Sequence, residues 1–97
     1  MSTAGWTFLS NHTHVLVCIA RDPAVTMREV ADHVGITERA VQRIVRDLVD
    51  CGYLTREREG RHNLYGVRTE RPLRHDLERS TDLGALLEVL HARNPTT

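Results

Sequence analysis

Lysine is absent from this sequence: all 13 basic side chains are arginine, and 13 carboxylates balance them. A chain with no net charge is not built for indiscriminate binding to nucleic acid. Aromatic residues are scarce, four in 97 (Trp6, Phe8, Tyr53 and Tyr65), so the core must be mainly aliphatic. No apolar run approaches the roughly 20 residues needed to cross a bilayer. The opening MSTAGWTFLSNH has no basic start followed by an apolar stretch, so no secretory signal is read there and a cytoplasmic location is expected. Cys18 and Cys51 are too few for a disulfide framework, and they are expected as reduced, core or half-buried thiols. No phosphate loop, Ser/His/Asp constellation or pair of carboxylates can be read from the spacing. An enzyme is therefore not expected, and no cofactor is implied. The length suits one small domain rather than two.

What is present is unevenly placed. Between Thr37 and Arg74 nine arginines face six carboxylates, an excess of three positive charges. The segments 1–36 and 75–97 carry net charges of −1 and −2. The excess includes GITERAVQRIVRDL, residues 35–48. Read as a helix, this stretch puts Val41, Ile44, Val45 and Leu48 on one side and Arg39, Gln42, Arg43 and Arg46 on the other. Each arginine is a planar fork able to grip phosphate or guanine with two hydrogen bonds.

The flanking sequence predicts the elements around that helix. Ser10 or Asn11 caps a first helix, stopped by Asp22-Pro23. Thr26 and Glu29 have capping-box spacing and open a short second helix, with Val30, Ala31 and Val34 inward. Gly35 ends it where a left-handed residue is wanted. Thr37 caps the third helix, residues 37–51. So short a connection makes the two helices cross steeply. Residues 53–58 and 62–67 read as strands around a Glu59-Gly60-Arg61 turn, a hairpin that must lean on the helices. Residues 69–80 read as an irregular connection with a helical turn around Leu73–Leu77. Thr81 is expected to cap a last helix over 81–93, with a Leu83, Leu86, Leu87 and Leu90 stripe, ended by Asn94-Pro95.

The expected fold is mainly α with a small β-hairpin: three core helices, a two-stranded wing over 54–67 and a C-terminal helix. The stretch from Met27 to Arg46 resembles the helix-turn-helix signature. Val30, Val34, Ile36, Val41 and Ile44 take its apolar positions, Ala31 its small position and Gly35 its turn. DCGYLTREREGRHNLYGV then resembles the end of a recognition helix and a wing. Over residues 9–92 the chain resembles small MarR-like regulators with a winged helix-turn-helix domain, here residues 9–68. The resemblance implies a sequence-specific, double-stranded-DNA-binding transcriptional regulator. Its third helix would enter the major groove with Thr37, Glu38, Arg39, Gln42 and Arg43 foremost, and Arg46 on phosphate. Arg58 and Arg61 would flank the wing tip against the backbone or an adjacent groove.

Competing readings accompany this one. An arginine face is often a solvated surface, and Arg43–Asp47 and Arg46–Asp50 have the spacing to pair with one another. Glu57 and Glu59 interleave with the wing arginines and would repel phosphate. His75 with Glu78, and Glu88 with His91, lie three apart, and ArsR-like metal-responsive repressors share such a fold and place ligands on terminal helices, but a site needs three or four ligands and no metal is expected. His12 and His14 are expected as surface or interhelical polar residues. A winged helix can also serve as a protein-docking module, which a neutral chain would fit. The leucine stripe either folds back on the first helix or packs against a second copy, with Trp6 and Phe8 joining it. A homodimer is expected, with no membrane partner. A small-molecule effector is not indicated.

Overall fold

The computed structural model describes residues 5–90. Helix α1 spans Asn11–Arg21, α2 Met27–Val34 and α3 Glu38–Asp50. Strands β1 (Leu54–Glu59) and β2 (His62–Val67) form one antiparallel hairpin, and α4 spans Leu83–Val89. Three packed helices followed by a hairpin make the winged helix-turn-helix arrangement that the sequence pattern implies.

The helix boundaries follow from their caps. Ser10 precedes α1 without a side-chain bond, and extended backbone at Asp22 ends the helix before Pro23. The Thr26 hydroxyl accepts from the Glu29 N–H at 3.1 Å while Glu29 Oε1 accepts from the Thr26 N–H at 2.9 Å, a complete capping box. Gly35 closes α2 at φ 85°, in the left-handed region that a side chain disfavours. Only Ile36 and the cap Thr37 then separate α2 from α3. The chain must turn sharply there, and the two helices pack against each other.

The core lies where the three helices meet. α1 contributes Val15, Leu16 and Ile19, α2 contributes Val30 and Ala31, and α3 contributes Val41, Ile44, Val45 and Leu48. Fully burying one such aliphatic side chain is worth about 1.5–3 kcal/mol. The hairpin anchors itself with Leu54 and Tyr65. The Tyr65 N–H also donates to the Pro23 carbonyl at 3.1 Å, tying β2 to the loop after α1. Cys18 and Cys51 are free and half-buried against this core.

Four local expectations change. Strand β1 begins at Leu54, because the Tyr53 ring turns into the core and its hydroxyl donates to the Pro72 carbonyl at 2.7 Å. The hairpin turn is only Gly60-Arg61, since Glu59 still pairs with His62. No helical turn forms at Leu73–Leu77. Two successive reverse turns run there, with the His75 carbonyl accepting from Glu78 and the Glu78 carbonyl from Thr81. The cap of α4 is Asp82, not Thr81: Asp82 Oδ1 accepts from the Ala85 N–H at 2.8 Å. Thr81 is occupied elsewhere, its carbonyl accepting from the Leu73 N–H beside the Pro72–Asp82 bridge. The expected end of this helix at Asn94-Pro95, and His91, lie outside the described residues.

Candidate nucleic-acid interface

Of the three core helices, α3 presents the largest contrast between its two sides. Val41, Ile44, Val45 and Leu48 are buried, while Thr37, Glu38, Arg39, Gln42, Arg43 and Arg46 are all exposed. A period of 3.6 residues forces this division once one side enters the core. Thr37 holds the start of the helix by accepting from the Ala40 N–H at 3.1 Å. The free amides of that first turn give this end a partial positive charge. Arg39, Arg43 and Arg46 follow it along one stripe at spacings of four and three.

The Arg43–Asp47 and Arg46–Asp50 pairs that the spacing allows do not form. Asp47 Oδ2 instead lies 2.9 Å from His12 Nε2, which links α3 to α1. Among the described residues, Arg39, Arg43 and Arg46 make no ion pair or side-chain hydrogen bond. A phosphate or a guanine would therefore displace only water from them. His14, the other histidine of α1, lies 3.0 Å from Asn11 Oδ1 within its own helix.

The wing sorts its charges by strand alternation. Cross-strand partners are Leu54 with Val67, Arg56 with Tyr65 and Arg58 with Asn63. These residues share one face, and Thr55, Glu57 and Glu59 share the other. The interleaved glutamates thus occupy the face opposite the arginines. Arg56 belongs to the arginine face and is exposed, yet sequence reasoning passed over it. Its signal was the period of two that it shares with Leu54 and Arg58. Arg58 Nε donates to the Gly60 carbonyl at 3.2 Å and braces the turn, while Arg61 stands exposed at the tip.

The remaining candidates lie elsewhere. Leu83 and Leu87 pack into the chain's own core, and Leu86 and Leu90 are half-buried. Val89, Trp6 and Phe8 stay exposed, and the two aromatic rings meet edge to face with centroids 4.9 Å apart. Among the described residues no three His, Cys, Asp or Glu side chains gather as a metal site. His75 Nδ1 accepts from the Leu77 N–H at 3.0 Å and is engaged in its own turn. Burial pushes the Cys18 thiol up, away from the thiolate that nucleophilic chemistry needs. An open cleft of about 560 Å³ runs between the start of α1 and the end of α3, past Leu16, Leu48 and Leu83. A second, of about 700 Å³, runs between α1 and α2. Neither lies on the arginine stripe. No helix among the described residues is long and apolar enough to cross a membrane.

Residues 7–62, more than half the chain, match the model of the MarR family. No curated protein matches. Among solved structures, the zinc-dependent MarR family transcriptional regulator AdcR in its Zn(II)-bound state is similar at a TM-score of 0.48 and 16% identity. That alignment covers 99% of this chain and 70% of the other. At such identity no residue role transfers.

Proposed function

Since the chain belongs to the MarR family of winged-helix regulators, we propose that it is a sequence-specific, double-stranded-DNA-binding transcriptional regulator without enzymatic activity. The observation that carries this reading is the unpaired arginine stripe on α3. Three guanidinium groups on one exposed helix face, none engaged by a carboxylate among the described residues, suit a polyanion. An α-helix fits the major groove of B-DNA, where arginine grips guanine O6 and N7 and glutamine grips adenine N6 and N7. Arg39 and Arg43 are assigned to guanine, Gln42 to adenine, and Arg46 with Thr37 to phosphate. Arg58 and Arg61 bring the wing to the backbone or the minor groove, and Arg56 lies on the same side.

A neutral domain of this size binds DNA weakly by itself, because the phosphate term is small when few cations contact it. Two copies joined about a two-fold axis place two recognition helices about 34–36 Å apart, one turn of B-DNA. Among the described residues, exposed Val89, Trp6, Phe8 and Leu77 and half-buried Leu86 and Leu90 are apolar side chains available for that contact. The protein is accordingly assigned as a cytoplasmic homodimer.

The test is fluorescence anisotropy on labelled duplex from upstream of its own coding region, against a scrambled duplex, across a salt series. Preferential binding that falls steeply with salt is expected, since each neutralised phosphate adds about 0.9 to the slope of log affinity against log salt. Sedimentation of the same sample reports the dimer. Absence of binding to both duplexes at low salt would replace this reading with the protein-docking one, which the chain's neutrality also fits.

A further inference from the structure

We propose that Glu38 is a specificity-determining residue that selects a cytosine in the major groove and opposes every site lacking one. This inference rests on the DNA-binding reading above and assigns one residue of that surface a role of opposite sign to its neighbours.

The two helices of the motif begin alike and then differ. Each is capped by a threonine whose hydroxyl accepts from the N–H three residues on. In α2 the first-turn acid is Glu29, at the third helical position, and its carboxylate returns to the Thr26 N–H. In α3 that third position is Ala40, and the acid stands at the first position instead. Glu38 therefore cannot close a capping box. Its carboxylate is exposed and makes no hydrogen bond or ion pair among the described residues. Neither the adjacent Arg39 nor Gln42, one turn further on, engages it. Local structure uses this acid only through the helix dipole.

At the leading end of a recognition helix, an ionised carboxylate meets a demanding surface. It can only accept hydrogen bonds. The phosphates repel it, and so do guanine O6 and N7, adenine N7 and thymine O4. The donors available are the amino groups of cytosine and adenine. Adenine's amino group stands beside the N7 acceptor, whereas cytosine's stands beside a C–H edge. In the duplex cytosine's amino group has an acceptor on one side only, its partner's guanine O6, whereas adenine's is flanked by N7 and by thymine O4, so cytosine is the base that a carboxylate reads against the least repulsion. Elsewhere the charge is left against acceptors and lowers affinity, which is how a repulsive element widens the gap between right and wrong sites.

The experiment compares the full chain with Glu38→Ala and Glu38→Gln. Each protein selects duplexes from a randomised library. Anisotropy then measures the enriched duplex, its single-base-pair variants and a scrambled duplex. The parent should require C·G at one position of each half-site, with substitution there costing about 5- to 150-fold. In Glu38→Ala that position should become indifferent, the other positions should keep their preferences, and the scrambled duplex should bind more tightly than it does to the parent. Glu38→Gln should shift the same position toward A·T. Thermal melting checks the dipole role, which would lower stability without altering base preference. An unchanged selected sequence and unchanged scrambled binding in Glu38→Ala would overturn the inference alone. A parent that enriches no sequence would overturn the DNA-binding reading and this inference with it.

Discussion

Replacing Arg43 with alanine separates a surface role from a DNA-binding role. Its candidate structural partner is Asp47, one turn along α3, but Asp47 is turned to His12 at 2.9 Å. Arg43 is exposed and has no partner among the described residues. Removing it breaks no hydrogen bond or ion pair among the described residues, and alanine is at least as good a helix former. The expected stability change is within about 0.5 kcal/mol. At about 4–8 °C per kcal/mol for a domain of this size, Tm should move by less than about 4 °C. Loss of a bidentate contact to guanine should cost about 1–3 kcal/mol of discrimination at one base pair. Anisotropy titrations of the enriched duplex and its point variants, beside circular-dichroism melts, read both quantities. A double-mutant cycle with Asp47→Ala should give a coupling near zero. Binding curves that coincide with the parent's would refute the assignment. So would a large fall in Tm, which would mean that Arg43 works within the fold.

Other perturbations test other links of the chain. Arg61→Ala, at the wing tip, should weaken all duplexes alike and flatten the salt dependence by about one unit, which titration at several salt concentrations measures. Thr26→Ala should cost about 0.5–2 kcal/mol by urea unfolding, because it removes half of the α2 capping box. Glu29 is held below its ordinary 4.5 by the Thr26 backbone and hydroxyl hydrogen bonds, so its contribution is complete above that value and lost as pH falls through the lowered one. Melts across that acid range should show a stability loss in the parent that is smaller in Thr26→Ala. Gly52→Ala should destabilise more than Gly35→Ala. Both have positive φ, but only at Gly52 would a Cβ meet Arg71, 2.8 Å from the Nη2 that donates to the Cys51 carbonyl. Equal losses in urea would show that Arg71 yields freely.

What could be read from the sequence was what short-range physics decides. The caps Thr26 and Thr37, the glycine at 35 and the buried face of α3 each depend on residues within a turn or two, and the structure holds them as expected. Thr81 lost its cap role to Asp82 because long-range pairing between residues 71–73 and 81–83 occupied its backbone. The partner of Asp47 lies 35 residues away on another helix, beyond any spacing rule. The leucine stripe was legible as apolar but not as inward or outward. Its fate depended on how residues 69–80 carry α4 back to the core, where Leu83 and Leu87 are buried. Arg56 was missed at the wing because counting alternating signs along one strand ignores which face each side chain takes.

Net charge is therefore a poor guide to what this chain can bind. Positive and negative groups cancel in number but not in place. On α3 three arginines share one stripe, while Asp47 is drawn aside by His12. On the wing, pleating puts Glu57 and Glu59 on the side away from Arg56 and Arg58. Screening at physiological salt limits electrostatic reach to about 8 Å, so a phosphate feels the groups beside it rather than the total. Local sorting supplies contact, and neutrality removes the long-range attraction that would hold the protein on any duplex. On the proposed reading, binding would then come from matched base edges and from two copies acting together. On that logic the absence of excess charge favours discrimination, and the proposed Glu38 role carries the same principle down to a single side chain.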